Sequence, residues 1–135
     1  MTYRIEEIEG IGPAYGAKLK DAGIDTTDKL LDACADPAGR KAMAEKTGLD
    51  ASRLLKWANM ADLMRISGVG EEYSELLEAA GADTVKELRN RNAANLAAKM
   101  AEVNEIKKLT RQVPSEATVT KWVGQAKELP PKLSY

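Results

Sequence analysis

The chain repeats itself. Shifting the numbering by 58 carries Gly10, Gly12, Tyr15, Leu19, Ala22, Gly23, Asp25, Thr26 and Leu30 onto Gly68, Gly70, Tyr73, Leu77, Ala80, Gly81, Asp83, Thr84 and Leu88. Nine identities in one register, three of them glycine pairs, mark an internal duplication, and any acceptable architecture must fold the same unit twice. The length of 135 residues suits one domain, or two small units sharing a core.

Each copy reads as helix, turn, helix. Ile5, Ile8 and Ile11 form a short amphipathic turn into Gly10-Ile11-Gly12, where two glycines permit a tight reversal. Pro13 stands where a helix begins without wasting an amide hydrogen. That helix runs through Leu19 and stops at Gly23, and Asp25 to Asp28 offer N-caps for a helix from Lys29 to about Ala35. Asp36-Pro37-Ala38-Gly39 breaks the chain, and Ala38 to Lys46 is a further short helix. Leu49 to Ser52 then opens a longer one, with Leu54, Leu55, Ala58 and Ala61 at helical spacing, ending near Ile66. It delivers the chain to Gly68-Val69-Gly70, so the last helix of the first half is expected to serve as the first of the second.

The second half repeats the plan through Leu88. A helix is then predicted from Asn92 to about Gln112, interrupted near Asn104, with a turn at Val113-Pro114 and a restart at Ser115 that ends near Leu129. Lys56-Trp57 and Lys121-Trp122 correspond at an offset of 65, so the second copy holds about seven extra residues in between. Ala, Leu, Ile and Met dominate the apolar set and Phe is absent, a mixture that favours helix. The expectation is an all-α body of eight to ten short helices with pseudo-twofold repetition near residue 66. Its units are 1–65, 66–129 and an extended or frayed tail, 130–135.

The pattern apolar-x-Gly-apolar-Gly-x-x-x-small-x-x-apolar occurs from Ile8 to Leu19, with Gly16 as the small residue, and from Ile66 to Leu77, with Ser74. It resembles the helix-hairpin-helix motif of the SAM-like superfamily. Thr47 to Leu55 looks like a degenerate third hairpin, and Arg111 to Val119 like a fourth without its glycines. The whole is similar to a bacterial family of unassigned function built from tandem helix-hairpin-helix units. The superfamily implies sequence-independent DNA binding, in which turn amides and a helix N-terminus face a phosphate. The resemblance transfers that role to the backbone of Gly10, Ile11, Gly12 and Ala14, with Lys18 and Lys20 behind them. Ala14 stands where DNA-binding members often carry a base, and the second copy reads Glu71-Glu72-Tyr73-Ser74-Glu75. Carboxylates there repel phosphate, so the second hairpin is expected not to bind nucleic acid in this mode.

Charge supports the same preference. Residues 1–65 carry ten basic and eleven acidic side chains, and residues 66–135 ten of each, unlike a nucleic-acid-binding domain. Glu71 to Asp83 holds five acids and no base, whereas Lys86 to Arg111 holds seven bases against three acids. Lys107, Lys108 and Arg111 form the candidate basic surface of that bipolar half. With no histidine there is no imidazole base and no His/Cys zinc cluster, and no metal or cofactor is expected. Cys34 is flanked by Asp32 and Asp36, which should raise its thiol pKa and leave a poor nucleophile. One cysteine suits a reducing compartment, and the acidic start has no signal-peptide pattern, so the cytoplasm is the expected location, with no membrane segment. The sequence thus predicts a non-catalytic module working through a protein partner or self-association. Weak DNA or RNA backbone binding, through the first hairpin and the 86–111 stretch, is the alternative.

Overall fold

Apolar spacing at helical period becomes eight α-helices in the computed structural model, which describes residues 2–135; no strand forms among them beyond an isolated Arg4–Thr26 bridge. A 3₁₀ turn, Ile5–Glu7, precedes α1 (Gly12–Asp21), α2 (Thr27–Ala33), α3 (Pro37–Thr47) and α4 (Ala51–Leu63). Then come α5 (Glu71–Ala79), α6 (Val85–Leu88), α7 (Ala93–Lys107) and α8 (Glu116–Glu128). Short polar side chains start most of them. Thr26, Asp36, Thr84, Asn92 and Ser115 each accept the amide three residues on, at 3.2, 2.7, 3.1, 3.0 and 3.2 Å. Each bond satisfies an amide that the helix itself leaves without a partner.

Three stretches depart from the sequence reading. α4 stops at Leu63 instead of near Ile66, because the Arg65 and Ile66 amides bond back three residues to Asp62 and Leu63. The turn is anchored by the buried Asp62 carboxylate, which takes the Arg65 guanidinium at 2.7 Å and the Val85 amide at 2.8 Å. α7 stops at Lys107 instead of Gln112. There the Asn104 side chain accepts from the Thr110 amide at 2.9 Å and donates to the Thr110 carbonyl at 3.1 Å, folding the chain back. Segment 130–135 is extended but docked. Arg65 donates to Pro130 O at 2.9 Å, Arg40 to Ser134 O at 2.8 Å, and the Ser134 amide to Ala35 O at 2.8 Å, while Leu133 packs on the first core.

Packing divides the apolar residues into two clusters. One gathers Ile5, Ile8, Leu19, Leu30, Leu54 and Trp57 among others; the second gathers Leu63, Ile66, Leu77, Leu88, Met100 and Trp122 among others. Positions 58 apart share local geometry. Gly10 and Gly68 have φ of +91° and +92°, and the amides of Ile11 and Val69 close the two turns onto Ile8 O and Ile66 O at 3.2 and 3.1 Å. The Tyr15–Trp57 rings lie 5.3 Å apart at 57°, the Tyr73–Trp122 rings 5.1 Å apart at 56°. The correspondence fails at the second glycine: Gly12 has φ +62°, whereas Gly70 is extended and caps α5. No described helix is long and apolar enough to cross a membrane.

Candidate functional site

The first glycine turn forms one wall of a groove of about 360 Å³, and the start of α4 forms the other. Asp50 caps α4 by accepting the Ser52 amide at 3.3 Å, which fixes where the helix begins and therefore which way its first turns face. Arg53, Lys56 and Trp57, spaced three and four apart on one helical face, then line the groove with Glu9, Gly10, Asp50 and Ser52. Trp57 is 3% exposed and packs beneath Gly10, where an added Cβ would meet its Nε1 at 3.8 Å. Above it the stack continues: Tyr15 leans on Trp57, and the Arg53 guanidinium lies 4.8 Å over the Tyr15 ring and donates to its hydroxyl.

Among the described residues no acceptor meets the Trp57 indole N–H. No donor or acceptor meets the Glu9 backbone either. No buried side-chain nitrogen or oxygen lacks a partner, so the indole N–H is open to solvent at the groove. The charges around it are mixed. Glu9 and Asp50 bring carboxylates, Arg53 and Lys56 cations. On α5, the carboxyl of Glu75 is raised above its usual range, first by burial and then by Glu9, with Lys56 and Lys107 opposing.

The second turn is built alike, and its Trp122 indole N–H likewise meets no acceptor among the described residues. Trp122 lies beneath Gly68, with Nε1 at 3.3 Å from an added Cβ. Here Gln125 fastens the turn: its Oε1 accepts the Ser67 amide at 2.9 Å and its Nε2 donates to Ser67 O at 3.4 Å. Glu71 and Glu72 stand exposed in the first turn of α5.

The residues singled out in the sequence do not converge. Of Gly10, Ile11, Gly12, Ala14, Lys18 and Lys20, only Gly10 lines the groove. Ile11 is buried in the core, while Gly12, Ala14 and Lys18 are exposed. Lys20 is ion-paired with Glu6, whose carboxyl is held below its usual range by that bond. Lys107 reaches the field of Glu75, and Lys108 and Arg111 are exposed beyond the end of α7. Within the 86–111 stretch Arg91 is engaged by Glu87 at 3.0 Å and by Gly81 O at 2.7 Å. Among the described residues no group of three or more His, Cys, Asp or Glu side chains is placed to hold a metal ion.

Cys34 is buried at the end of α2, its thiol pushed up to about 11 by burial and lowered only in part by Arg40. The direction is the expected one, but desolvation causes it and not the flanking aspartates. Sequence reasoning passed over Asp50, Arg53, Lys56 and Gln125 as site residues. The matched Lys-Trp pairs were the available signal, because they carry the helix faces that meet the two turns.

Comparison with curated proteins and with solved structures finds no match. A family model described as "Domain of unknown function (DUF4332)" matches residues 9–129, which spans both turns, both tryptophans and all eight helices. The chain belongs to that family.

Proposed function

We propose that this chain is a non-catalytic interaction module made of two helix-hairpin-helix units, 1–65 and 66–129, related by internal pseudo-twofold duplication. In this reading it is a cytoplasmic scaffold that works through protein contacts, with a partner or a second copy of itself. The matched turns and tyrosine–tryptophan pairs support the duplicated unit. One observation carries the preference for protein over phosphate. Both turns present carboxylates where backbone phosphates would have to lie: Glu9 and Asp50 at the first, Glu71 and Glu72 at the second. Each would repel a phosphate at contact distance, and Lys20, one of the two lysines on the helix that follows the first turn, already has a carboxylate partner.

Arg53 and Lys56 at the groove, with exposed Lys107, Lys108 and Arg111, favour the second reading, weak nucleic-acid backbone binding. A titration of labelled duplex at low and at physiological salt separates the two. The expected outcome is no measurable binding at either salt. Binding that collapses with salt, and weakens again in Lys107→Glu/Lys108→Glu, would replace the protein reading with the phosphate one.

A further inference from the structure

The extended strap 130–135 changes allegiance where α8 ends. Leu129 packs on the second core, and Leu133 packs on the first. Between them Pro130 and Pro131 have no N–H with which to bond back to α8. Every polar bond of the strap among the described residues reaches the first half. Arg65 donates to Pro130 O at 2.9 Å and Arg40 to Ser134 O at 2.8 Å. The Ser134 amide donates to Ala35 O at 2.8 Å, and the Tyr135 hydroxyl to Asn59 Oδ1 at 3.0 Å. Lys132 pairs with Asp32. The residues that match the family, 9–129, thus hold the whole seat and none of the strap. The strap sits in its seat as a tethered ligand does, by bonds indifferent to which chain supplies it.

We infer that the strap is exchangeable: residues 130–135 of one chain seat on the first half of a second copy, by the bonds that they make in cis. The inference rests on the protein-contact reading above and names a second copy as the partner. A second copy carries the very segment that the seat fits. Two arginines and Ala35 O meet its backbone, so its extended course is read at the peptide. Its side chains are read by the first core, which takes Leu133, and by Asn59, which takes the Tyr135 hydroxyl. Exchange keeps these contacts and gives up only the advantage of the tether. In cis the seated form is favoured about 30-fold, the order expected for these bonds and the burial of one leucine. A short tether supplies an effective concentration on the order of 1 mM, so a strap with no seat of its own should bind another chain's empty seat at about 30 µM. An intact donor must first vacate its own seat, which weakens the exchange about 30-fold. Local concentration therefore gates self-association, and the strap in cis is its brake.

Two full-length variants test this. Leu133→Ser/Tyr135→Ala spoils the strap and leaves the seat empty, whereas Arg40→Ala spoils the seat and leaves the strap loose. At about 100 µM each should sediment as a monomer alone, and their mixture should form a one-to-one dimer with a dissociation constant of about 30 µM. The unaltered chain, mixed with the strap-spoiled variant, should bind it about 30-fold more weakly. Should Arg40→Ala fail to fold, a synthetic peptide of residues 130–135 replaces it as donor. It should then shift the Ala35 and Asn59 NMR signals of the strap-spoiled chain over the same concentration range. A mixture of folded variants that stays monomeric, or a peptide that shifts nothing up to about 1 mM, would overturn the exchange. So would a dimer that persists when both chains carry the spoiled strap, because its interface would lie elsewhere. Neither failure touches the protein-contact reading itself, which the duplex titration decides.

Discussion

At the scale of single residues, the two turn glycines are held for different reasons that substitution can separate. Both need positive φ, which an L-residue adopts at a cost of about 1–2 kcal/mol. Gly68 has less room as well: a Cβ there would press on Trp122 Nε1 at 3.3 Å, whereas at Gly10 the nearest atom is an ordinary 3.8 Å away. Gly68→Ala should therefore lower stability by more than Gly10→Ala, with costs above and near about 1 kcal/mol in urea unfolding. Equal losses would show that the indole yields freely. Cys34 gives a second prediction. A thiol at about 11 is almost wholly protonated at pH 8.5, so native alkylation should run at least about 100-fold slower than in the urea-unfolded chain. Burial holds the folded thiol above the 9.0 of a free one, so the folded chain keeps its proton longer and stability falls as pH rises. The contribution is complete below pH 9 and lost as pH rises towards 11, by at most about 1.4 kcal/mol per unit. Cys34→Ala should flatten that part of the pH profile.

At the scale of elements, the helices follow from local rules and their ends from side chains that reach across loops. Thr26 and Thr84, 58 positions apart, cap α2 and α6 in the same way, as expected when a cap depends only on its next three residues. The end of α7 is less local. Its length depends on Asn104 bonding the backbone of Thr110, a pairing that helical periodicity does not encode, and so the sequence reading, which placed an interruption near Asn104, still carried the helix on to Gln112. Lys108 closes it at φ +52°, and among the described residues it is the one non-glycine at positive φ. Lys108→Gly should stabilise the chain by about 0.5–1 kcal/mol by removing that strain. Lys108→Ala, which keeps the Cβ, should not. If both variants are neutral in thermal unfolding, the left-handed end is not strained.

At the scale of the whole molecule, the two halves are tied at more than their junction. Asp62, at the end of α4, holds the start of α6 through the Val85 amide. Segment 130–135 then crosses back from the second half to the first. Arg40, 6% exposed, divides its guanidinium between Cys34 O at 3.0 Å and Ser134 O at 2.8 Å, and the Tyr135 hydroxyl meets Asn59 Oδ1 at 3.0 Å. A chain ending at Leu129 should lose about 2 kcal/mol, the order expected for charge-assisted and backbone bonds together with Leu133 packing. Amide exchange should quicken first in α2 and α3. An unchanged urea midpoint would mean that the strap binds without stabilising.

What the sequence determined by itself was carried by neighbours a few residues apart: helical class, a range of eight to ten helices that holds the eight found, caps such as Thr26 and Ser115, and the paired glycine turns. These are set by spacing and by backbone freedom at single positions, which a linear reading can weigh. Tertiary structure alone decided which distant side chains tie the turns and the C-terminal segment down. The Gln125–Ser67 clasp joins residues 58 apart and the Arg40–Ser134 bond residues 94 apart, and no periodicity signals either pairing. Glutamine at one position and methionine at its counterpart look interchangeable along a helix. Only with α8 laid under the second turn does the Gln125 amide reach Ser67, while Met60 on α4 turns into the first core.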